Sequence, residues 1–339
     1  MSTKHAVRTD GRKSQTSRAS KSLRTVVVVP DLQVWCWPDH LGVWHTCHDE
    51  AAIDVALSVI RTIDQGETVD QVIQIGDPCE MANFSSFRTA PALTATGTWP
   101  RSQRRTHEVL RAITEATPNA FSRVVLDSNH LWPRIQAALQ KAERVSAGLG
   151  DLIGTKFADD DDSALPILSP ERLFGYTAAG WSTTGCAYPH DRLWLAPNLA
   201  IEHGAKATRD PEKALREYLS EVDANLVVGH MLASATITAT RESAGQSRSI
   251  FAHAVGTLQR LDGASPSEDQ AVNVWGEPTL NSRTRGQQGL TVIRYAPDGR
   301  TDPQLERVEI VKGSATYRGE VFRARCDSDG RLLRRRRNA

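Results

Sequence analysis

This chain is poor in cysteine, lacks any long apolar run and carries almost no net charge, and each shortage narrows what it can be. Five cysteines, odd in number and scattered over 339 residues, do not make a disulfide framework. No stretch near the start has the apolar centre of a secretory signal. No run approaches the roughly 18 apolar residues of a membrane span. These absences lead us to expect a soluble, intracellular (cytoplasmic) protein with no membrane partner. No internal repeat is visible, and the length allows one large domain or two ordinary ones.

The net charge of +1 hides a segregation. Residues 1–24 hold seven Lys or Arg against Asp10, and residues 331–339 hold five Arg. The two ends therefore contribute +11 and the remainder −10. Residues 1–24 are also rich in Ser and Thr and nearly free of apolar residues, a composition that predicts a disordered basic tail. We place the folded domain at 25–325 and a second basic tail at 326–339. Basic tails suit phosphate backbones, each neutralised phosphate adding salt-sensitive affinity, so nucleic acid is one expected partner. The bland alternative is that the tails solubilise the chain or lie on its acidic core.

What the chain does have is a set of short runs rich in Val and Ile, ending in polar signatures. Thr25 to Val29, Val72 to Ile75, Arg123 to Leu126 and Leu226 to Val228 are brief and not helix-periodic, and they read as buried strands. Pro30-Asp31-Leu32-Gln33, Gly76-Asp77, Asn129-His130 and Gly229-His230 follow them, and His203-Gly204 is a fifth signature of the same kind. When the strands of an open α/β sheet end on one edge, the residues just beyond them converge on a shared crevice. Five separated signatures thus predict one site. Their aspartates, asparagine and histidines offer oxygen and imidazole nitrogen, a donor set suited to Mn, Fe, Zn or Ni. A divalent metal ion is the cofactor implied. Such an ion lowers the pKa of bound water from ~16 toward ~7 to 9 and stabilises charge on a phosphoryl oxygen. Phosphoester hydrolysis is the reaction this set suits.

The ordered series resembles the calcineurin-like metallophosphoesterases, whose motifs run D-x-H, G-D-x-x-D, G-N-H-D/E, H and G-H-x-H. The likeness extends over residues 25–295. The Asp-x-Gln opening and Gly286-Gln287-Gln288-Gly289 are similar to a phage-encoded branch of that family. The resemblance implies an α/β fold, a two-sheet sandwich flanked by helices in four layers. It further implies hydrolysis of a phosphodiester or phosphomonoester substrate, nuclease action included, by metal-activated water. One metal position of the family corresponds here to Asp31, Gln33, Asp77 and Leu232, and the other to Asp77, Asn129, His203 and His230. The second set is complete. Leu232 has no donor atom and the amide of Gln33 is a weak neutral donor, so one firm metal site and a weak or rebuilt one are expected.

His130 falls at the family's catalytic histidine, which donates a proton to the leaving group or stabilises the phosphoryl charge. Its usual acidic neighbour is Leu131 here, which should lower its pKa relative to family members. Glu80 stands where G-D-x-x-D has its second Asp. An insertion, Val34 to Cys47, carries Cys36, His40, His45 and Cys47, with His48 following. One of these residues could replace the missing ligand of the first metal; a structural zinc and a metal-free loop packed by Trp35, Trp37 and Trp44 are the alternatives. Those tryptophans could equally stack a base.

Helical spacing is present in Asp49 to Gln65 and Arg101 to Thr117. Pro133 to Leu149 is a third helix opened by proline, and Asp210 to Val222 a fourth, capped by Asp210. Asp159 to Asp162 is an acidic loop. Ile237 to Thr240, Ile250 to Val255 and Leu290 to Tyr295 are expected to form the second sheet, with a long polar loop at Gly256 to Gly286. Two function classes follow. One is a metal-dependent phosphoesterase; the other is a catalytically degenerate relative that binds nucleic acid or a protein partner.

Overall fold

Alternation along the central strand explains how the layers stack. In β1 (Arg24–Val29), Val27 and Val29 join the apolar core beneath the helices, whereas Val26 and Val28 join the core between the two sheets. A strand buried on both faces must be apolar throughout, as its run of four valines is. The computed structural model describes residues 23–85, 89–145, 169–206, 210–243, 246–264, 272–279 and 286–333. The expected tail up to residue 22, the acidic loop Asp159 to Asp162, residues 146–149 of the third helix and residues 334–339 lie outside these.

After β1 come the hairpin strands β2 (Cys36–Pro38) and β3 (Trp44–Thr46), then β4 (Gln71–Gln74), β5 (Ser122–Val125) and β6 (Ser182–Thr183). β7 (Leu193–Ala196), β8 (Leu199–Glu202), β9 (Asn225–Val228), β10 (Ser234–Ser243) and β11 (Gln246–Val255) follow. β12 (Gln288–Tyr295), β13 (Gln304–Val311), β14 (Ser314–Tyr317) and β15 (Glu320–Arg323) complete the strands. The first sheet runs β15-β14-β13-β12-β1-β4-β5-β6, and the second β10-β11-β9-β8-β7. Within them β1, β4, β5 and β6 are parallel to one another, as are β8, β9 and β11. The chain is therefore a mixed α/β protein with two large sheets packed face to face through Val26, Val28, Ile73, Ile75, Leu199, Ile201 and Val227.

One expectation is corrected here. Leu290 to Tyr295 belongs to the first sheet, because β12 pairs antiparallel with β1 in the register Val27 to Val292. Its Leu290 and Val292 face the helices while Ile293 faces the second sheet; a strand that supplies both cores belongs beside β1.

The helices form where their periodicity and caps require. α1 (Glu50–Glu67) starts at Asp49, whose carboxylate accepts from the amides of Ala51 and Ala52, and buries Ile53, Ala56, Val59, Ile60 and Ile63. α2 (Thr98–Ala116) begins three residues before the expected Arg101. Pro100 is harmless in a first turn, whose amides have no intrahelical acceptor. α3 (Trp132–Val145) has Pro133 in its first turn. Short helices α4 (Pro170–Phe174) and α5 (Tyr176–Ala179) follow. α6 (Pro211–Glu221) is capped by Asp210, whose carboxylate accepts from the Lys213 amide. Residues of α1 and α2 cover the outer face of the first sheet, and Ala214, Leu215, Tyr218 and Leu219 of α6 cover that of the second. Among the described residues, no helix is long and apolar enough to cross a membrane.

The C-terminal segment expected to begin a tail at 326 is held in place through Leu333. Asp329 accepts from the Thr46 amide and from Arg260, and Leu333 donates its amide to the Arg325 carbonyl.

Candidate metal centre

Parallel pairing makes β1, β4 and β5 end on one edge, and the facing β8 and β9 end together as well. Asp31, Asp77, Asn129, His203 and His230 each lie one to four residues past a strand end. Asp77 sits at the middle. Its backbone amide donates to Ser128 Oγ at 3.0 Å, and its carbonyl accepts from the Gln33 amide at 2.8 Å. Its Oδ1 accepts from the His130 amide at 3.2 Å. Its Oδ2 lies 3.4 Å from His203 Nε2 and 3.7 Å from His130 Nδ1.

The His203 ring is oriented from behind. Nδ1 lies 3.0 Å from the Ile75 carbonyl, to which it donates, leaving Nε2 to face Asn129 Oδ1 at 2.9 Å and Asp77 Oδ2. Nε2 thus confronts two oxygen lone pairs and needs either a second proton or a shared cation between them. The His230 ring is 5.1 Å from that of His203, and the His230 amide donates to Asp31 Oδ1 at 3.4 Å. Among the described residues, Asp77, His203 and His230 are the one group of three or more metal-type side chains whose ligand atoms converge, all within 4.8 Å.

Buried polar atoms without partners gather at the same place. Asp31 Oδ2, Asp77 Oδ2, Glu80 Oε2 and His130 Nδ1 have no hydrogen bond, and Asp31, Asp77 and Glu80 are fully buried. A buried carboxylate oxygen without a partner is costly, so a cation between these groups would satisfy atoms that have no hydrogen bond. The donor set of Asp77, Asn129, His203 and His230, with Asp31 beside it, fits a divalent ion of the borderline class. Backbone strain gathers here too. Gln33, Asp77, Met81 and His230 all have positive φ, between 46° and 63°, a conformation that non-glycine residues hold only when their surroundings impose it.

Local electrostatics follow from burial and pairing. Burial pushes the Asp31 carboxyl up to about 8, against the pull of His203. Burial also raises Glu80 to about 8, with Arg134 opposing. At Asp77 burial works in the same direction, but His130 and His203 outweigh it and hold the carboxyl well below the usual range. His203 is the reverse case: burial disfavours its charge, yet Asp77 and Asp31 bring it to about 9. Burial takes His130 to about 3 and His230 to about 4. The low His130 value has burial as its main cause. A carboxylate does stand by the ring, since Glu80 Oε2 is 3.5 Å from Nδ1.

Glycine is required at position 76. A Cβ there would lie 2.3 Å from His203 Nδ1 and 2.9 Å from Ser128 Cβ, and φ is +120°. Three contributors were not singled out by sequence reading. Ser128 caps the Asp77 amide. Arg134, nine-tenths buried, donates to the carbonyl and carboxylate of Glu80. Tyr188 places its ring edge-on to His203 at 5.8 Å. A serine before Asn-His and an arginine one turn into the next helix were the available signals, but neither type is diagnostic alone.

The insertion does not supply a ligand to the converging group. Val34 to Cys47 folds into the β2-β3 hairpin, and its donors are engaged elsewhere. His40 Nδ1 meets Glu277 at 2.8 Å, His45 lies 3.1 Å from both Asp39 and Asp329, and Cys47 Sγ donates to the Ala264 carbonyl. His48 accepts from the Trp35 amide and pairs with Glu50 at 2.9 Å. Trp35 and Trp37 are buried in the core and Trp44 lies under the Arg101 guanidinium, so the first two offer no face to a base. Leu232 points no donor at the site, and its carbonyl accepts from the Gln287 amide. Gln33 is buried beside Asp77. The chain matches no family model and no curated protein.

Proposed function

We propose that this protein is a metal-dependent phosphoesterase on a four-layer metallophosphoesterase frame, hydrolysing phosphodiester or phosphomonoester bonds. The observation that carries the reading is the convergence of Asp77, His203 and His230 beside the orphaned carboxylate oxygens of Asp31 and Asp77. Asp77, Asn129, His203 and His230 would hold one divalent ion, with Asp31 and Gln33 bordering a weaker second position. When bound, such an ion supplies an acidified water and stabilises phosphoryl charge. The protein's own part is orientation. The Ile75 carbonyl fixes the tautomer of His203, and Ser128 fixes the turn that presents Asp77. His130, kept neutral by burial, donates a hydrogen bond to the ester oxygen, with Glu80 and Arg134 setting its ring. This favours stabilisation of the departing oxygen over a standing pool of imidazolium.

The test is elemental analysis of purified protein together with a Mn-supplemented assay on bis(p-nitrophenyl) phosphate. We expect about one tightly held ion per chain, lost in Asn129→Ala and His203→Ala with the fold intact. Metal content equal in wild type and both variants would overturn the assignment.

A further inference from the structure

Beside the metal centre lies a cavity of about 340 Å³ lined by Thr184, Cys186, His190, Asp191, Arg192 and Trp194. It occurs where the sandwich opens sideways. β6 is the outer strand of the first sheet and β7 the outer strand of the second, and residues 184–192 cross between them. Cys186 and Asp191 also line a smaller crevice whose other walls include Tyr188, Glu202 and His203. The cavity thus borders, through Cys186 and Asp191, a narrow crevice that reaches a proposed metal ligand, His203.

We propose that this cavity receives the base of a nucleoside phosphate whose ester lies at the metal centre, an inference that rests on the phosphoesterase reading. Size is the first argument, since cavities from ~300 Å³ upward hold organic ligands and a phosphate alone needs far less. Surface is the second. Trp194 stands on an edge strand and is 52 % exposed, which gives a planar ring a face to stack on.

Charge is the third argument. The Arg192 guanidinium is engaged by Glu202 and lies 3.6 Å from Glu221, so its charge is answered within the protein. Asp191 accepts from the Ala187 amide and keeps further acceptor capacity. With the Arg192 charge answered and the Asp191 carboxylate in the lining, a neutral ring bearing N–H donors is favoured over a second phosphate. A nucleobase with an exocyclic amine has the flat face, the donors and the neutrality together.

The test uses the full chain with Mn. Calorimetry compares adenosine 5′-monophosphate with ribose 5-phosphate, and kinetics compare the p-nitrophenyl ester of adenosine 5′-phosphate with methyl p-nitrophenyl phosphate. We expect the adenosine compound to bind more tightly, and Trp194→Ala to lower the preference in kcat/KM for the nucleoside ester roughly 5- to 100-fold. Trp194→Phe should restore part of it. Equal binding of the two phosphates, or a preference untouched by Trp194→Ala, would overturn the pocket. A binding preference without turnover of either ester would sustain the pocket and defeat the hydrolase reading. Turnover of the methyl ester without any nucleoside preference would do the opposite.

Discussion

The β2-β3 hairpin and the strand-end crevice are both rich in histidine, yet their donor atoms are engaged in opposite ways. In and beside the hairpin each imidazole has a carboxylate at 2.8 to 3.1 Å: His40 has Glu277, His45 has Asp39 and Asp329, and His48 has Glu50. In the crevice, three buried carboxylates and one imidazole each keep an atom with no hydrogen bond, while His203 Nε2 faces two oxygens. A cation entering the hairpin would have to break close hydrogen-bonded pairs; one entering the crevice would meet atoms that have no hydrogen bond. Metal-type residues in a cluster therefore say little until their partners are known. The informative state is buried, convergent and unsatisfied.

The largest effect that could break this contrast is catalytic. His130→Ala should slow hydrolysis by ~100- to 10,000-fold while metal content stays at the wild-type level, measured by steady-state kinetics beside elemental analysis. Unchanged turnover would move His130 to a structural role.

Next comes Gly76→Ala. The added Cβ must displace the His203 imidazole from the Ile75 carbonyl, because 2.3 Å is far inside contact distance. We expect a loss of about 2 to 4 kcal/mol in stability and weaker metal binding, read by denaturant unfolding and metal titration. Wild-type metal affinity in this variant would show that the His203 orientation is not needed.

The hairpin side offers a pH test. Burial works to raise the Glu50 carboxyl, but His48 and Arg105 outweigh it and hold it at about 2, against an ordinary 4.5. A folded-state value below the unfolded one gives stability that is complete above pH 4.5 and disappears as pH falls toward 2. The contribution is about 3 kcal/mol. Glu50→Gln should remove it at neutral pH and flatten the acid limb of the unfolding curve, with metal content unaffected. An acid limb of unaltered slope would show that the pair contributes nothing.

The smallest effect is the sharpest on meaning. His45→Ala removes an imidazole held between two partly exposed aspartates and should cost less than about 1 kcal/mol. Metal per chain should not change. A lost ion in this variant would make the hairpin a metal site after all and erase the contrast between the two regions.

Much of this was legible in the chain. Runs such as Val26 to Val29 and Val72 to Ile75 read as buried strands, helical spacing announced α1 and the capping chemistry of Asp210 announced α6, and the polar residues after the runs named Asp77, His203 and His230. The place of β12 was not legible, because an apolar strand reads alike in either sheet of a sandwich. Nor was the hairpin, where the same residue types that bind metals instead pair with Asp39, Glu50, Glu277 and Asp329. Three of those four carboxylates lie outside the insertion, and two are more than 200 residues away.

By itself, then, the order of residues determined which segments are strands and helices and which donors stand at their ends, since periodicity, capping and β-branching act over a few neighbours. Only the tertiary structure decided which of those donors meet and which are already answered. That depends on contacts such as His203 with Ile75, 128 residues apart, and on the Cβ-free space at Gly76 that lets the imidazole turn toward Asp77. Pairing across such distances is set by how the two sheets stack, and local sequence carries no record of it.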